Sequence, residues 1–396
     1  MSSIDEVLRG AVADYVAGRL TAAEVGYRRV LRKRPTDHLA LYGLGLLSFH
    51  AGAKEQSVDY LLRSLVSKPD NGLAYHLLGT LYLERGRLAD AKIALTRATQ
   101  LTPEICEAWC NLAICLTREG DQEAAEAQLR RALLCPPPNS KAYEGLLQLL
   151  CYQGRLQEAA PLVFDWLARD PTHPIARHMA SAFAATDAPS RASDAYLQRV
   201  FDAFAEDFDS ALKKLNYQGP QLVATALRTA APGRDFPAVL DAGCGTGLCG
   251  PLVRELCHRL VGVDLSPGML ERAKQRSCYD ELVTAELSAF MRSRPQAFDA
   301  IVCADTLIYF GELAEPLAAA HDTLRSGGLL VFTAEALESD SADHRLTVTG
   351  RYSHREAYLR RVVRENGLEL ASIERPTLRQ ERGVGVEGYL VVACKA

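Results

Sequence analysis

The stretch Val239-Leu240-Asp241-Ala242-Gly243-Cys244-Gly245-Thr246-Gly247 decides how the second half of this 396-residue chain is read. An apolar run ends in a carboxylate, and three glycines follow at alternate positions. That is a strand that stops, a loop stripped of side chains, and a helix that begins. Glycine is needed where a backbone bends sharply and passes close to a ligand. The helix that follows turns its free N–H groups toward that ligand. The stretch therefore predicts a site for a nucleoside-type cofactor.

A second contact lies further on. Asp264 ends the next apolar strand, Leu260-Val261-Gly262-Val263, 23 positions after Asp241. A carboxylate about 20 residues past such a loop suits a ribose diol, because it accepts both hydroxyl hydrogens. Two cofactors compete for this arrangement. A nicotinamide dinucleotide loop runs G-x-G-x-x-G, whereas this chain has Asp-x-Gly-x-Gly-x-Gly. The latter resembles motif I of class I S-adenosylmethionine (SAM) methyltransferases, with residues 261–264 as their motif II. SAM is the preferred cofactor on this reading.

Composition sets bounds without naming a function. At 396 residues two domains are expected, and a 48% hydrophobic share is ample for their cores. A net charge of −4 gives no global nucleic-acid signal. No apolar run reaches membrane-spanning length, and the start MSSIDEVLRG lacks a secretory apolar segment. A cytoplasmic protein without a membrane partner is the expectation. The 11 cysteines form no C-x-x-C pair, and Cys106, Cys110 and Cys115 lack zinc-site spacing, so buried thiols and no metal are expected.

The first half carries a repeat. Pro35, Pro69, Pro103, Pro137 and Pro171 stand 34 residues apart. The clearest copy reads Tyr75, Leu78, Gly79, Tyr82, Ala91, Leu95, Ala98 and Pro103. Shifting by 34 gives Trp109, Leu112, Ala113, Leu116, Ala125, Leu129, Ala132 and Pro137. Small residues let two antiparallel helices approach, large ones fill the space between copies, and the proline stops the second helix. A 34-residue period resembles the tetratricopeptide repeat. About five units over residues 1–171 are expected, the outer ones degenerate because they cap the stack. The resemblance implies a concave surface that takes a protein or peptide. The basic run Arg28 to Arg34 reads as a solvated helix end, where cations suit the macrodipole.

Residues 172–193, with His173-Pro174 and Asp187-Ala188-Pro189-Ser190, read as a bridge. A helix follows, its apolar face marked by Tyr196, Val200, Phe204, Phe208 and Leu212. From there strand and helix signals alternate, which indicates a doubly wound parallel sheet over residues 194–396. Strands are expected at 238–241, 260–264, 298–304 and 329–333. Ser266-Pro267 opens one helix, and Ser353-x-x-Glu356 is the capping box of another that ends near Asn366-Gly367. Segments 369–375 and 387–394 pair as a terminal hairpin. This order resembles the seven-stranded, Rossmann-like methyltransferase fold.

The resemblance implies roles. Gly243, Gly245 and Gly247 would let the backbone pass under the methionine part of SAM, and Asp241 would position its ammonium. Asp264, with Leu265 beside it, would take the ribose. Glu286-Leu287 stands where many members carry Asp-Leu against the adenine. Ala304, Asp305 and Thr306 would line the cofactor and acceptor sides. Phe201, Phe204 and Phe208 are candidates to cover the cofactor. For a catalytic base the chain offers Asp305, Glu335, Tyr352 and His354. The residues from Asp305 do not form an Asn/Asp-Pro-Pro-Tyr motif, which argues against adenine and glutamine-amide acceptors. The repeat fused to this domain, with Gly350-Arg351-Tyr352-x-His354, Arg379-x-Glu381-x-Gly383 and Gly388-Tyr389, resembles the bacterial methyltransferases that contain tetratricopeptide repeats. Methyl transfer to a small molecule or a protein side chain is expected, the alternative being a non-catalytic SAM-binding adaptor.

Overall fold

The computed structural model describes residues 3–136, 139–184, 188–338 and 342–396. Pro137 and Asp187 lie outside the described residues. The chain divides into two compact units, Met1–Leu162 and Val163–Ala396.

The first unit is helical. Its helices are α1 (Ile4–Val16), α2 (Leu20–Lys33), α3 (His38–His50), α4 (Lys54–Ser67), α5 (Gly72–Glu84), α6 (Leu88–Leu101), α7 (Cys106–Glu119), α8 (Gln122–Ala132) and α9 (Ser140–Gln153). The helix α10 (Leu156–Arg169) runs across the division. Close approach within a pair is visible at Gly79, where a Cβ would lie 2.6 Å from Leu95. In the preceding pair Ser57 replaces the expected alanine, and its hydroxyl donates to the Gly45 carbonyl at 2.7 Å. Gly18, Gly52, Gly86, Gly120 and Gly154 hold φ between 68° and 88° at the turn inside each pair. They stand 34 residues apart and repeat the period of the prolines. Only a residue without Cβ turns there at no steric cost.

After the end of α10, the second unit holds α11 (Pro174–Ala184), α12 (Asp194–Phe204), α13 (Phe208–Lys214) and α14 (Gly219–Ala230). Helix α11 fills much of the stretch read as a bridge. His178 on it bonds the Gly350 carbonyl at 2.9 Å and stacks on Tyr196. The apolar face expected as one helix is broken at residues 205–207, so that α12 and α13 are separate.

Then come β1 (Phe236–Ala242), α15 (Gly250–Val253), β2 (Cys257–Asp264), α16 (Pro267–Gln275), β3 (Glu281–Thr284), α17 (Leu287–Arg292), β4 (Phe298–Cys303), α18 (Ala314–Thr323) and β5 (Leu324–Ala336). The chain ends with β6 (His344–Leu346), β7 (Tyr352–His354), α19 (Glu356–Glu365), β8 (Leu368–Glu374), β9 (Thr377–Glu381) and β10 (Val384–Lys395). The sheet order is β3-β2-β1-β4-β5-β10-β8. Strands β1 to β5 are parallel, and β10 runs antiparallel to both β5 and β8. This is a Rossmann-like doubly wound sheet. The period of two along each strand divides the core. Leu240, Val261, Ile301 and Phe332 face one layer with α17, α18 and α19. Val239, Leu260, Val302 and Val331 face the other with α14 and α15.

One local expectation is corrected, and one helix is shorter than its neighbours. Ser353 forms no capping box, because it lies in β7 opposite Glu335 of β5, and α19 starts from Arg355. The helix after the glycine loop is a single turn, α15, since the chain must re-enter the sheet at Cys257.

Candidate cofactor and active site

The glycine loop leaves β1 and crosses the end of β2. The N–H groups of Gly243 and Cys244 both donate to the Val263 carbonyl at 2.9 Å. Gly243, Gly245 and Gly247 all have positive φ, 73°, 54° and 82°. Their surroundings differ. A Cβ on Gly243 would lie 2.2 Å from the Thr306 hydroxyl, and one on Gly247 would meet Tyr279, Ala273 and Arg276 within 3.2 Å. Over Gly245 the nearest atom is Phe208 Cε1 at 4.0 Å. Gly243 and Gly247 are thus required by packing against the protein, while Gly245 opens on free space.

That space is bounded by Asp264. One carboxylate oxygen accepts from the Gly245 N–H and the other from the Ser266 N–H, each at 2.9 Å. The Leu265 N–H is a third backbone donor, and the carboxylate keeps acceptor capacity for a ligand hydroxyl. Burial raises the Asp264 pKa, and these backbone donors oppose the shift. Leu265 beside it accepts from Gln198 through its carbonyl at 3.3 Å. Asp241 is the penultimate residue of β1 and is 1% exposed. Burial pushes its pKa up to about 7, against a hydrogen bond from the Tyr279 hydroxyl at 2.6 Å. The cradle over Gly245, bounded by Asp264 and with the buried Asp241 near enough to interact with Asp264, fits a ligand that carries a diol and a cation. SAM carries both.

The aromatic segment lies across this loop. Asp209 on α13 accepts from the Thr246 hydroxyl at 2.5 Å and pairs with Arg276, which also donates to the Thr246 carbonyl at 2.6 Å. Asp202 on α12 accepts from the Ser266 hydroxyl and from the Gly268 N–H. Phe201 and Phe204 both pack edge-on against Phe208, and Phe201 also packs on Tyr309. Two carboxylates therefore hold the aromatic cluster above Gly245.

The other residues expected on the cofactor side are placed as follows. Glu286 is the N-cap of α17, accepting from the Ser288 and Ala289 N–H groups at 3.1 and 2.7 Å. Leu287 is buried in the core beneath it. Ala304 follows β4 and joins the opposite core layer. Thr306 bonds the Ala242 carbonyl at 3.1 Å and so ties the end of β4 to the start of the loop.

The four candidates for a base fall into two groups. Asp305 has φ 52°, its N–H donates to the Thr333 hydroxyl, and that hydroxyl donates back to Oδ1 at 2.9 Å. Its Oδ2 accepts from Arg379 at 2.9 Å. Arg379, 3% exposed, also pairs with Glu335 and with Glu381, and Arg351 bridges the same two glutamates. Asp305 and Glu335 thus share one buried ionic cluster centred on Arg379, which the sequence offered only as part of the Arg379-x-Glu381-x-Gly383 motif and not as a site residue. Tyr352 and His354 stand apart from it. The Tyr352 hydroxyl donates to the Pro189 carbonyl at 2.5 Å. His354 is fully buried, with Nε2 bonded to the Phe310 carbonyl at 2.8 Å, and burial together with His344 pushes its pKa down to about 4. A neutral ring that donates to a carbonyl braces the fold.

Among the described residues no cluster of metal-ligating side chains occurs, and no helix is long and apolar enough to cross a membrane.

A glycine loop between β1 and a helical turn, facing a carboxylate at the end of β2, is the arrangement of a Rossmann-like methyltransferase fold. Comparison with known proteins agrees. The methyltransferase domain family matches residues 240–332, and the tetratricopeptide repeat family matches residues 8–72 and 76–140. The chain therefore carries tetratricopeptide repeats and a methyltransferase domain. It is 33% identical to human methyltransferase-like protein 27 over 143 residues, 35% of this chain and 58% of that protein. It is also 33% identical to the malonyl-[acyl-carrier protein] O-methyltransferase of Salmonella typhimurium over 110 residues, 28% of this chain and 43% of that protein. The chain spans about half the length of these curated relatives. Among solved structures, the Burkholderia thailandensis 1,6-didemethyltoxoflavin-N1-methyltransferase with bound S-adenosylhomocysteine aligns at TM-score 0.42 and 21% identity, covering 54% of this chain and 94% of that one.

Proposed function

We propose that this chain transfers a methyl group from SAM to an acceptor placed on the Asp305 side of the site, and that the repeat array recruits a protein partner or substrate. The observation that carries the reading is the open cradle over Gly245, walled by Asp264 and lying beside the buried Asp241. SAM supplies an electrophilic methyl on a sulfonium. Asp264 holds the ribose hydroxyls, Asp241 faces the ammonium, and the cluster of Phe201, Phe204 and Phe208 keeps water from the cofactor. Asp305, held by Thr333 and Arg379, forms the acceptor-side wall. Displacement at a methyl group is in-line, so placement of the acceptor supplies most of the rate.

No free base stands among the four candidates, since each is tied to a partner inside the fold. This supports acceptors that arrive already nucleophilic, such as a neutral amine. The same feature favours the second reading, a SAM-binding adaptor without turnover. Incubation with methyl-labelled SAM separates the two. Label on a protein or small-molecule fraction, lost in Asp264→Ala, is the expected result. SAM binding without transfer to any fraction points to the adaptor. Transfer that survives removal of residues 1–171 excludes recruitment by the repeats.

A further inference from the structure

The ring of Tyr279 sits where three glycines and a buried carboxylate meet. Tyr279 lies between α16 and β3. A Cβ on Gly247 would lie 2.9 Å from its ring, one on Gly250 2.8 Å, and one on Gly262 3.0 Å. These glycines belong to the cofactor loop, to the first residue of α15 and to β2. One aromatic ring thus fills the slot that three absent side chains leave. At the end of the slot its hydroxyl donates to Asp241 Oδ2 at 2.6 Å. A ring enclosed on three sides has one direction for its hydroxyl.

We infer that Tyr279 is a positioning residue for the cofactor: its hydrogen bond keeps Asp241 charged and aimed at the ammonium, and its ring sets the course of the glycine loop. This rests on the SAM reading above. Without the donor, a carboxylate buried as deeply as Asp241 takes up a proton and loses its attraction for a cation.

The other titratable groups around Asp241 leave this task to Tyr279. They are Asp264 of β2, Cys244 and Cys249 of the loop, Cys278 beside the ring, Cys303 of β4, and Tyr217 before α14. Burial raises each thiol and Tyr217, so they stay neutral near neutral pH. The charge of Asp264 opposes ionisation of Asp241, whereas the Tyr279 hydroxyl favours it. Asp241 titrates at about 7, where a change in this balance is measurable.

The test is calorimetric titration of the full-length protein with S-adenosylhomocysteine, which keeps the ammonium, between about pH 6 and about pH 9. Wild-type affinity is expected to fall as pH drops through the Asp241 range. Tyr279→Phe keeps the ring in its slot and removes only the donor. Its profile is expected to move upward by roughly one to two pH units. The ratio of variant to wild-type Kd then approaches one at alkaline pH and rises roughly tenfold or more toward acid. Ionisation of the ligand is common to both proteins and cancels in the ratio. A Tyr279→Phe profile equal to wild type, or weakened by one constant factor at every pH, overturns the inference. Asp241→Asn serves as a second variant, because its affinity is expected to lose the acid limb, and a limb that persists also overturns it. Wild-type protein that binds no S-adenosylhomocysteine at any pH brings down the SAM reading and this inference together.

Discussion

At the scale of single residues, the site sets stability against binding. Asp241 ionises at about 7 in the fold, well above an ordinary carboxylate near 4. The folded state therefore holds more protons than the unfolded chain between those values, and stability is lost as pH rises through that window. Asp241→Asn removes this cost. The variant is expected to be more stable than wild type at pH near 8 by about 1–3 kcal/mol. The gap should close toward about pH 4, and cofactor affinity should fall. Denaturant unfolding at the two pH values checks this, and a variant less stable at both contradicts it. The three loop glycines were legible in the sequence as a set, but their separate reasons were not. Gly243 answers to Thr306 and Gly247 to Tyr279, partners 63 and 32 positions away. A sequence pattern does not reveal contacts at such separations. Tyr352 and His354 show the converse. Nothing in their spacing reveals the partners that hold them, the carbonyls of Pro189 and Phe310.

At the scale of elements, legibility followed burial. Strands β1, β2, β4 and β5 run through the middle of the sheet and read as apolar runs. Strand β3 is an edge strand of four residues, none of them buried, so its signal was faint. Ser353 offered the letters of a capping box, and pairing with β5 overrode the local preference. The hairpin of β9 and β10 has a task that its sequence did not announce. It carries Arg379 into a cluster of three carboxylates beside the end of β4. Removing a cation from such a site leaves buried charges without compensation. Arg379→Met is expected to cost about 3–5 kcal/mol of stability, measured by the denaturant midpoint. Arg379→Lys is expected to recover only part, because an ammonium lacks the planar fork that reaches three carboxylates at once. An Arg379→Met variant as stable as wild type would mean that the cluster contributes nothing net.

At the scale of the whole molecule, two periodicities describe the chain. A 34-residue period of prolines and glycines builds the helical repeats, and alternation of strand and helix builds the sheet. Both were legible because each recurs many times along the chain. The division between the compact units falls at Leu162, inside α10 and before Pro171 closes the proline series. A proline series marks where helices stop, and it says nothing about which body a helix joins. The central claim is that the second unit holds SAM through the Gly245 cradle and Asp264. Calorimetric titration of the full-length protein with SAM tests it most directly, with NAD and Asp264→Ala as controls. The account predicts saturable binding of SAM, none of NAD, and a loss of roughly 10- to 100-fold in affinity for Asp264→Ala. Well-folded protein that binds no SAM, or an Asp264→Ala variant that binds it as tightly as wild type, would contradict the account.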